Sequence, residues 1–219
     1  MKKLPNAIIF DLDGTLLNTL EDLTDAVNAT LINFHFPPRT IDEVRTFVGN
    51  GLDVLVQRIL PLKVDLMIYQ NCLDYFKKYY QEHLLIKTKP YEGINVLLEE
   101  LQRLHIKMAI VSNKIQSGVT ELKQLFFSNW VDVAIGDQLG LALKPHPDSV
   151  LKAIADLGLS QTDFIIYVGD SETDIQTAKN AKLPFIGVTW GFRTKDQLIK
   201  AGAINLIDEP YELIRYFQS

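Results

Sequence analysis

Short apolar segments and longer amphipathic segments alternate along most of the chain. The apolar segments are rich in β-branched residues and have no polar face, which is typical of strands buried in a parallel sheet. The segments between them carry apolar residues at spacings of three and four, which predicts helices. This alternation indicates an α/β fold with a doubly wound parallel sheet in the strand order 3-2-1-4-5. The predicted strands are residues 7–10, 107–112, 131–136, 164–169 and 184–189, with a shorter run at 204–207.

One interval breaks this alternation. From residue 18 to about residue 87 the helical pattern persists and no strand-like run occurs. An interval of this length exceeds any ordinary connection between a strand and a helix. We therefore expect an all-helical second domain, residues 18–87, inserted into a sheet-containing core made of residues 1–17 and 88–219.

Four aspartates follow two of the predicted strands. Asp11 and Asp13 end the first strand, Asp170 ends the fourth, and Asp174 lies one helical turn further on. These two strands are neighbours in the predicted order, so their carboxyl ends share the crevice in which such sheets bind ligands. Clustered carboxylates without Cys or His favour Mg²⁺. A calcium-binding loop does not fit. With Asp11 as its first position, the fifth and sixth positions are Thr15 and Leu16, where such a loop requires a ligand and a glycine.

The two aspartates of DLDGT need not share one environment, because the strand and the turn direct their side chains differently. Asp11, held ionised by a metal, fits a nucleophile that attacks phosphorus, and Asp13 fits an acid that later acts as a base. Gly14 permits a sharp turn, and Thr15 can fix the loop through its hydroxyl. The alternative for this motif alone is a turn with a buried ion pair or a helix cap.

Other predicted strand ends supply polar groups to the same crevice. Ser112 and Asn113 follow the second strand, where a hydroxyl and an amide can hold phosphate oxygens. Lys144, in a loop stiffened by two prolines, can offset negative charge at the nucleophile. Each feature has a plainer interpretation: Ser-Asn is often a turn or a helix cap, and a lysine in such a loop is often a surface residue.

Composition narrows the function classes. The chain has 219 residues, 47% of them hydrophobic, and a net charge of -5 with a pI near 5.4. The absence of a basic stripe argues against nucleic-acid binding and for small-molecule chemistry. The single cysteine, Cys72, most simply packs within a helix, and no apolar run is long enough to span a bilayer. We expect a cytoplasmic protein, monomeric or homodimeric, whose partner is a small phosphorylated metabolite and not nucleic acid or a membrane.

At these motifs the chain resembles a known family. DLDGT (11–15), VSN (111–113), KPHP (144–147) and GDSETD (169–174), with a helical insertion after the first, resemble the haloacid dehalogenase superfamily of phosphohydrolases. The resemblance implies a helical cap over a Rossmann-like core and a Mg²⁺ cofactor. The roles that it implies are a nucleophile, Asp11; an acid/base that ligates metal through its backbone carbonyl, Asp13; phosphate and charge stabilisers, Ser112 and Lys144; and carboxylates around Mg²⁺, Asp170 and Asp174. The second aspartate of the motif favours phosphate chemistry over dehalogenation.

A narrower resemblance covers further segments. Residues 47–60, 91–101, 112–114, 144–148 and 188–193 look like those of bacterial phosphoglycolate phosphatases. The resemblance implies 2-phosphoglycolate as substrate. Gly49, Asn50 and Gly51 lie between two predicted helices, so their backbone N–H groups could bind a substrate carboxylate when a cap closes. The alternative is a plain turn. Asn18 departs from the pattern, because relatives often carry an acid there.

Other functions stay open at this point. A sugar-phosphate mutase or a pyrophosphatase of the same fold would use the same motifs. A receiver-type signalling module, with Asp137 as phosphoacceptor, is a different class, but it explains neither the long insertion nor the acids of GDSETD. A catalytically silent binding protein would need only some of these acids.

Overall fold

A computed structural model describes residues 4–218. The chain divides into two compact units. We call Met1–Leu17 with Pro90–Ser219 the sheet unit, and Asn18–Lys89 the helical unit. The chain passes between the units after residue 17 and again after residue 89.

Eight strands are present among the described residues. Six of them form one sheet in the order β5-β4-β1-β6-β7-β8 with parallel pairing throughout, and β2 and β3 form a separate two-stranded sheet. The doubly wound prediction is confirmed, because this order is 3-2-1-4-5 with the short sixth run added at the edge. The strands are β1 (Ala7–Phe10), β2 (Leu17–Asn18), β3 (Lys89–Pro90), β4 (Lys107–Ile115), β5 (Val133–Asp137), β6 (Ile165–Gly169), β7 (Phe185–Val188) and β8 (Leu206–Ile207).

Helices fill the intervals between strands, as the amphipathic spacing predicts. The sequence predicts one helix over residues 117–126, but there α6 gives way to a π-helical segment, Lys123–Phe127. Within residues 4–218, no helix has both the length and the apolar composition that crossing a membrane requires. The helices are α1 (Leu20–Asn33), α2 (Ile41–Phe47), α3 (Leu52–Ile59), α4 (Leu66–His83), α5 (Ile94–Arg103), α6 (Gln116–Leu122), α7 (Asp148–Asp156), α8 (Glu172–Asn180), α9 (Lys195–Lys200) and α10 (Glu212–Gln218).

The first strand lies at the centre of the sheet. All four residues of β1 are buried, because β4 and β6 pair with its two edges and helices cover both faces. Ala7 and Ile9 pack in one apolar cluster with Val150, Ala153 and Ile154 of α7. The residue that follows β1, Asp11, therefore emerges from the middle of the sheet between two other strand ends.

The helical unit is held together by the apolar sides of its four helices. Helix α1 packs against α4, and α2 and α3 pack beside them. Helix α4 carries several aromatic residues, and the rings of Phe76 and Tyr80 stack there and are buried. Cys72 is buried on the same helix, which agrees with its packing interpretation.

Strand β4 is longer than predicted. The apolar pattern ends it at Ser112, but it runs on to Ile115 because its register against β5 shifts between Val111 and Ile115. This irregularity keeps the strand paired while it changes the direction of the residues inside it. Three polar residues, Ser112, Asn113 and Lys114, are thereby buried at the carboxyl end of the sheet.

Candidate active site

The site forms where β1, β4 and β6 end. The backbone N–H of Asp11 donates to the carbonyl of Val168 at 2.9 Å, which fixes the aspartate at the junction with β6. The Asp11 side chain is buried. Burial, together with the nearby Asp174, raises the pKa of Asp11 well above its ordinary value. A carboxyl in this position needs a positive partner to stay ionised.

Lys144 is that partner within the chain. Its Nζ lies 2.7 Å from Oδ1 of Asp11 and 2.8 Å from Oδ1 of Asp174, and it also donates to the hydroxyl of Tyr167 at 3.2 Å. Burial alone would lower the pKa of Lys144, but Asp11 and Asp174 raise it well above its ordinary value. The side chain is only 3% exposed, so the interpretation of Lys144 as a surface lysine is wrong.

Three buried carboxylates meet beside this ammonium group. One oxygen from each of Asp11, Asp170 and Asp174 lies within 4.8 Å of the others. Burial and the charge of Asp174 raise the pKa of Asp170 to about 7. One ammonium does not neutralise three carboxylates, so a further cation would stabilise the ionised cluster. A donor set made only of carboxylate oxygens fits a hard divalent ion such as Mg²⁺.

The three carboxylates differ in how many donors the chain gives them. Oδ2 of Asp174 accepts from the backbone N–H and hydroxyl of Ser171, as part of a capping box that begins α8. Its Oδ1 accepts from Lys144 and Tyr167, so the chain gives Asp174 four donors. Asp170 accepts from the backbone N–H of Phe192 at 2.6 Å and from the hydroxyl of Thr15 at 3.4 Å. Asp174 therefore belongs both to the cap of α8 and to the acidic cluster.

Asp13 lies in a different environment from Asp11. Its Oδ1 is 3.1 Å from Nζ of Lys114, and its Oδ2 accepts from the hydroxyl of Ser112 at 3.5 Å. The side chain of Asp13 is 19% exposed, and that of Asp11 is 10% exposed. Its carboxylate is not one of the three in the acidic cluster, and its metal contact through the backbone carbonyl stays a prediction. The two aspartates of DLDGT thus have separate partners.

The side chain of Asn113 is directed at the backbone of Lys144. Its Oδ1 accepts from the Lys144 N–H at 2.7 Å, and its Nδ2 donates to the Lys144 carbonyl at 3.0 Å. The Lys144–Pro145 peptide bond next to it is cis. The predicted contact of Asn113 with a phosphate stays a prediction, and the observed bonds give it a role in placing Lys144.

The segment after β7 completes the surroundings of Asp170. The indole N–H of Trp190 donates to the carbonyl of Thr15 at 3.0 Å. A Cβ added at Gly191 would collide with Asp170 and with the carbonyl of Gly14. In the sequence, this segment (VTWGFR, residues 188–193) is only a point of resemblance and predicts no role in the site. An apolar run that ends in Trp-Gly does not predict that its backbone lies against a carboxylate.

Lys114 and Tyr167 were also missed by sequence reasoning. Tyr167 lies inside a strand that reads as continuous core, and its hydroxyl donates to Asp174 at 3.1 Å. Lys114 was expected to follow the second strand and lies within β4 because of the register shift. The sequence signal that points to Lys114 is a charged residue two positions after Ser112.

Gly49, Asn50 and Gly51 belong to the helical unit. Gly49 and Gly51 have φ values of 117° and 88°, and Gly51 is the N-cap residue of α3. Left-handed backbone of this kind suits glycine and makes a tight connection from α2 to α3. Their binding of a substrate carboxylate stays a prediction.

Comparison with known proteins assigns the family. The family model described as haloacid dehalogenase-like hydrolase matches residues 8–188, which include all four motifs, DLDGT, VSN, KPHP and GDSETD. The chain belongs to this family. A phosphoglycolate phosphatase from Pseudomonas syringae pv. tomato is 32% identical over 97% of this chain and 79% of its own length. Another, from Pseudomonas putida, is 34% identical over 86% of this chain and 71% of its own length.

Solved structures agree with this assignment. A protein from Lactobacillus delbrueckii subsp. bulgaricus, provisionally named a phosphoglycolate phosphatase, superposes with a TM-score of 0.93. It is 34% identical to this haloacid dehalogenase-like hydrolase, and the match covers 99% of both chains. A structure from Haemophilus somnus with a similar provisional name gives a TM-score of 0.88 at 28% identity, over 96% of this chain and 97% of that one.

Proposed function

We propose that this protein is a Mg²⁺-dependent phosphomonoester hydrolase that acts on 2-phosphoglycolate through an aspartyl-phosphate intermediate. The observation that carries the proposal is the pairing of Asp11 with Lys144 and of Asp13 with Lys114, which gives two neighbouring carboxylates separate environments. Such a division suits one nucleophile and one acid/base. The names of the relatives support phosphoglycolate as the substrate.

In this proposal Asp11 attacks phosphorus. Its carboxylate is buried next to the Lys144 ammonium, which keeps it ionised and offsets the charge that the phosphoryl group brings. The bond between phosphorus and the leaving oxygen breaks as the bond to the Asp11 oxygen forms. Ser112 in β4, with Thr15 and Asn113 as further predicted contacts, binds the non-bridging oxygens.

Asp13 serves the two proton transfers. It first gives a proton to the departing glycolate oxygen, and it then takes a proton from the water that attacks the aspartyl phosphate. This role requires a carboxyl group that faces the substrate and does not coordinate the metal through its side chain. Its partial exposure and its distance from the acidic cluster support the assignment.

Asp11, Asp170 and Asp174, with the backbone carbonyl of Asp13, are the proposed surroundings of Mg²⁺. When bound, the ion neutralises these carboxylates and the phosphate oxygens, so that the two anions can approach each other. The buried cluster fits such an ion, because Asp11 and Asp170 have raised pKa values without one. Asp174, already bound to four donors of the chain, acts mainly by holding Lys144.

The substrate assignment adds expectations about the rest of the chain. The helical unit acts as a cap that excludes bulk water, and the N–H groups of Gly49–Gly51 bind the carboxylate of the substrate. We place the enzyme in the cytoplasm as a monomer or homodimer, without nucleic-acid or membrane partners.

Phosphate release from a panel of substrates tests this proposal. The panel contains 2-phosphoglycolate, hexose phosphates, nucleoside monophosphates and pyrophosphate, each with Mg²⁺ and with a chelator. We expect a chelator-sensitive preference for 2-phosphoglycolate with kcat/KM above about 10⁴ M⁻¹s⁻¹. The Asp11→Asn variant should fold normally and lose turnover.

The other outcomes are distinct. Preference for pyrophosphate, or isomerisation of a sugar phosphate without net phosphate release, would reject 2-phosphoglycolate as the substrate. Either result would leave the assignment of the site residues unchanged. Slow release of phosphate from every ester would support the phosphatase activity and reject 2-phosphoglycolate as its specific substrate. Normal turnover by the Asp11→Asn variant would reject Asp11 as the nucleophile. If the wild-type protein releases phosphate from no compound, the proposed function itself is wrong.

A further inference from the structure

The site contains a second buried lysine that the proposed mechanism does not use. The side chain of Lys114 is 3% exposed, as little as that of Lys144. A buried ammonium group is costly unless a counter-charge lies close. Lys114 meets this requirement at Asp13, with Nζ 3.1 Å from Oδ1.

The fold makes room for this side chain. Gly118 on α6 lies against the aliphatic part of Lys114, and a Cβ there would stand 3.6 Å from Cε. Gly136 on β5 allows the backbone to approach closely, because a Cβ there would stand 2.6 Å from the Lys114 carbonyl oxygen. The register shift in β4 lies across the same residues. Lys114 is therefore fixed along its whole length, unlike a flexible surface lysine.

Ser112 extends the same arrangement. Its hydroxyl accepts from the backbone N–H of Lys114 at 3.1 Å and donates to Oδ2 of Asp13 at 3.5 Å. Both oxygens of the Asp13 carboxylate are thus contacted by one short segment, residues 112–114. Donors on both oxygens restrict rotation of the carboxylate about its side-chain torsions.

We propose that Lys114 is a positioning residue for the leaving-group proton transfer, which it serves by holding the carboxylate of Asp13 toward the departing oxygen. The inference rests on the proposed phosphatase function. In this arrangement each lysine serves one carboxylate: Lys144 holds the nucleophile, and Lys114 holds the acid/base. The alternative is that Lys114 binds the substrate phosphate directly.

Leaving groups of different basicity separate these two roles. Departure of an alkoxide such as glycolate needs a proton, whereas 4-nitrophenolate leaves readily without one. The constant kcat/KM reports the steps through cleavage of the ester bond, so later hydrolysis of the aspartyl phosphate does not enter it. We therefore measure kcat/KM for 2-phosphoglycolate and for 4-nitrophenyl phosphate with Mg²⁺.

The variants are Lys114→Met, Lys114→Arg, Asp13→Asn and the double variant Asp13→Asn with Lys114→Met. The matched control is Lys107→Met, because Lys107 is at the opposite end of β4 and its Nζ donates to the carbonyl of Leu157. Unfolding midpoints of all variants show whether each is folded. Lys114→Arg keeps the charge, so it tests the role even if Lys114→Met is unstable.

We expect Lys114→Met to lower kcat/KM for 2-phosphoglycolate by about 10²-fold and to affect 4-nitrophenyl phosphate far less, as Asp13→Asn should. The double variant should be no slower than Asp13→Asn, because both changes remove one function. Lys114→Arg should recover part of the loss, and Lys107→Met should lose nothing.

Three results would overturn the inference. Equal losses on both substrates would assign Lys114 to phosphate binding. Additive losses in the double variant would separate Lys114 from Asp13. Full activity of a folded Lys114→Met would show that the pair is structural. A wild-type protein that hydrolyses neither ester refutes the proposed function instead, and that result is seen before any variant is compared.

Discussion

At the scale of single residues, the carboxylate of Asp170 is enclosed by backbone from two loops. A Cβ at Gly14 or at Gly191 would collide with it, and the N–H of Phe192 donates to it at 2.6 Å. Gly14 also has a φ of 92°, which side chains rarely adopt. Backbone atoms of Gly14, Gly191 and Phe192 therefore define the space around this proposed metal ligand.

The first prediction concerns Gly191. We expect Gly191→Ala to displace Asp170 and to weaken Mg²⁺ binding by about 10–100-fold. The measurement is a Mg²⁺ titration followed by the rise in melting temperature, which needs no substrate. The matched control is Gly187→Ala on β7, where an added Cβ meets the flexible end of Leu206. Equal Mg²⁺ affinity in Gly191→Ala and wild type would contradict this role.

The second prediction concerns pH. In the metal-free protein Asp170 has a pKa of about 7 instead of 3.8, so the folded state retains a proton that the unfolded state has lost. The free energy of unfolding should therefore fall as the pH rises between these values. Above pH 7 the carboxylate is ionised and binds a cation more readily. We expect Mg²⁺ to raise the melting temperature more at pH 8 than at pH 6.

Asp170→Asn provides the control for this pH effect, because an amide does not titrate. The variant should show a smaller difference between the two pH values than the wild type does. The remaining difference would come from Asp11, whose pKa is also raised. Equal Mg²⁺ stabilisation of the wild type at both pH values would contradict the expectation.

At the scale of secondary structure elements, the sequence predicted the strands better than the site details. The buried runs of β1 and β6 are continuous and apolar, so their bounds were found within one residue. Parallel order then brought Asp11, Asp170 and Lys144 together, because each follows a strand end. The contribution of Lys114 depends on a register shift in β4, which no spacing of apolar residues encodes.

One buried aspartate of the helical unit connects α1 to the loop segment before β3. Asp22 on α1 accepts from the backbone N–H of Lys87 at 3.0 Å and from that of Thr88 at 2.9 Å. Sequence reasoning gave Asp22 no structural role, since an acid in the first turn of a helix is ordinary. Its partners lie 65 and 66 residues away, beyond the reach of any local pattern.

The third prediction follows from these bonds. Asp22→Ala leaves two backbone N–H groups without their acceptor, and we expect a loss of about 2–4 kcal/mol in the free energy of unfolding. Urea denaturation followed by circular dichroism measures it. Asp25→Ala is the matched control, because Asp25 lies on the same helix and pairs only with the exposed ammonium of Lys87. That variant should lose less than about 1 kcal/mol, and equal losses would contradict the role of Asp22.

At the scale of the whole molecule, the chain leaves the sheet unit after its first strand and returns 72 residues later, after residue 89. Every residue of the candidate site that holds an acidic or basic group belongs to the sheet unit. The helical unit contributes nothing to the acidic cluster, as far as residues 4–218 show. The charged groups of the candidate site thus come from the two stretches of chain on either side of that unit.

The central place of β1 also sets an order in time during synthesis. The ribosome makes β1 first, yet both strands that pair with it come after the whole helical unit. Asp11 is made 133 residues before Lys144, its partner. The last aspartate of the acidic cluster is residue 174 of 219. A nascent chain that stops before that point therefore carries Asp11 but not the complete acidic cluster.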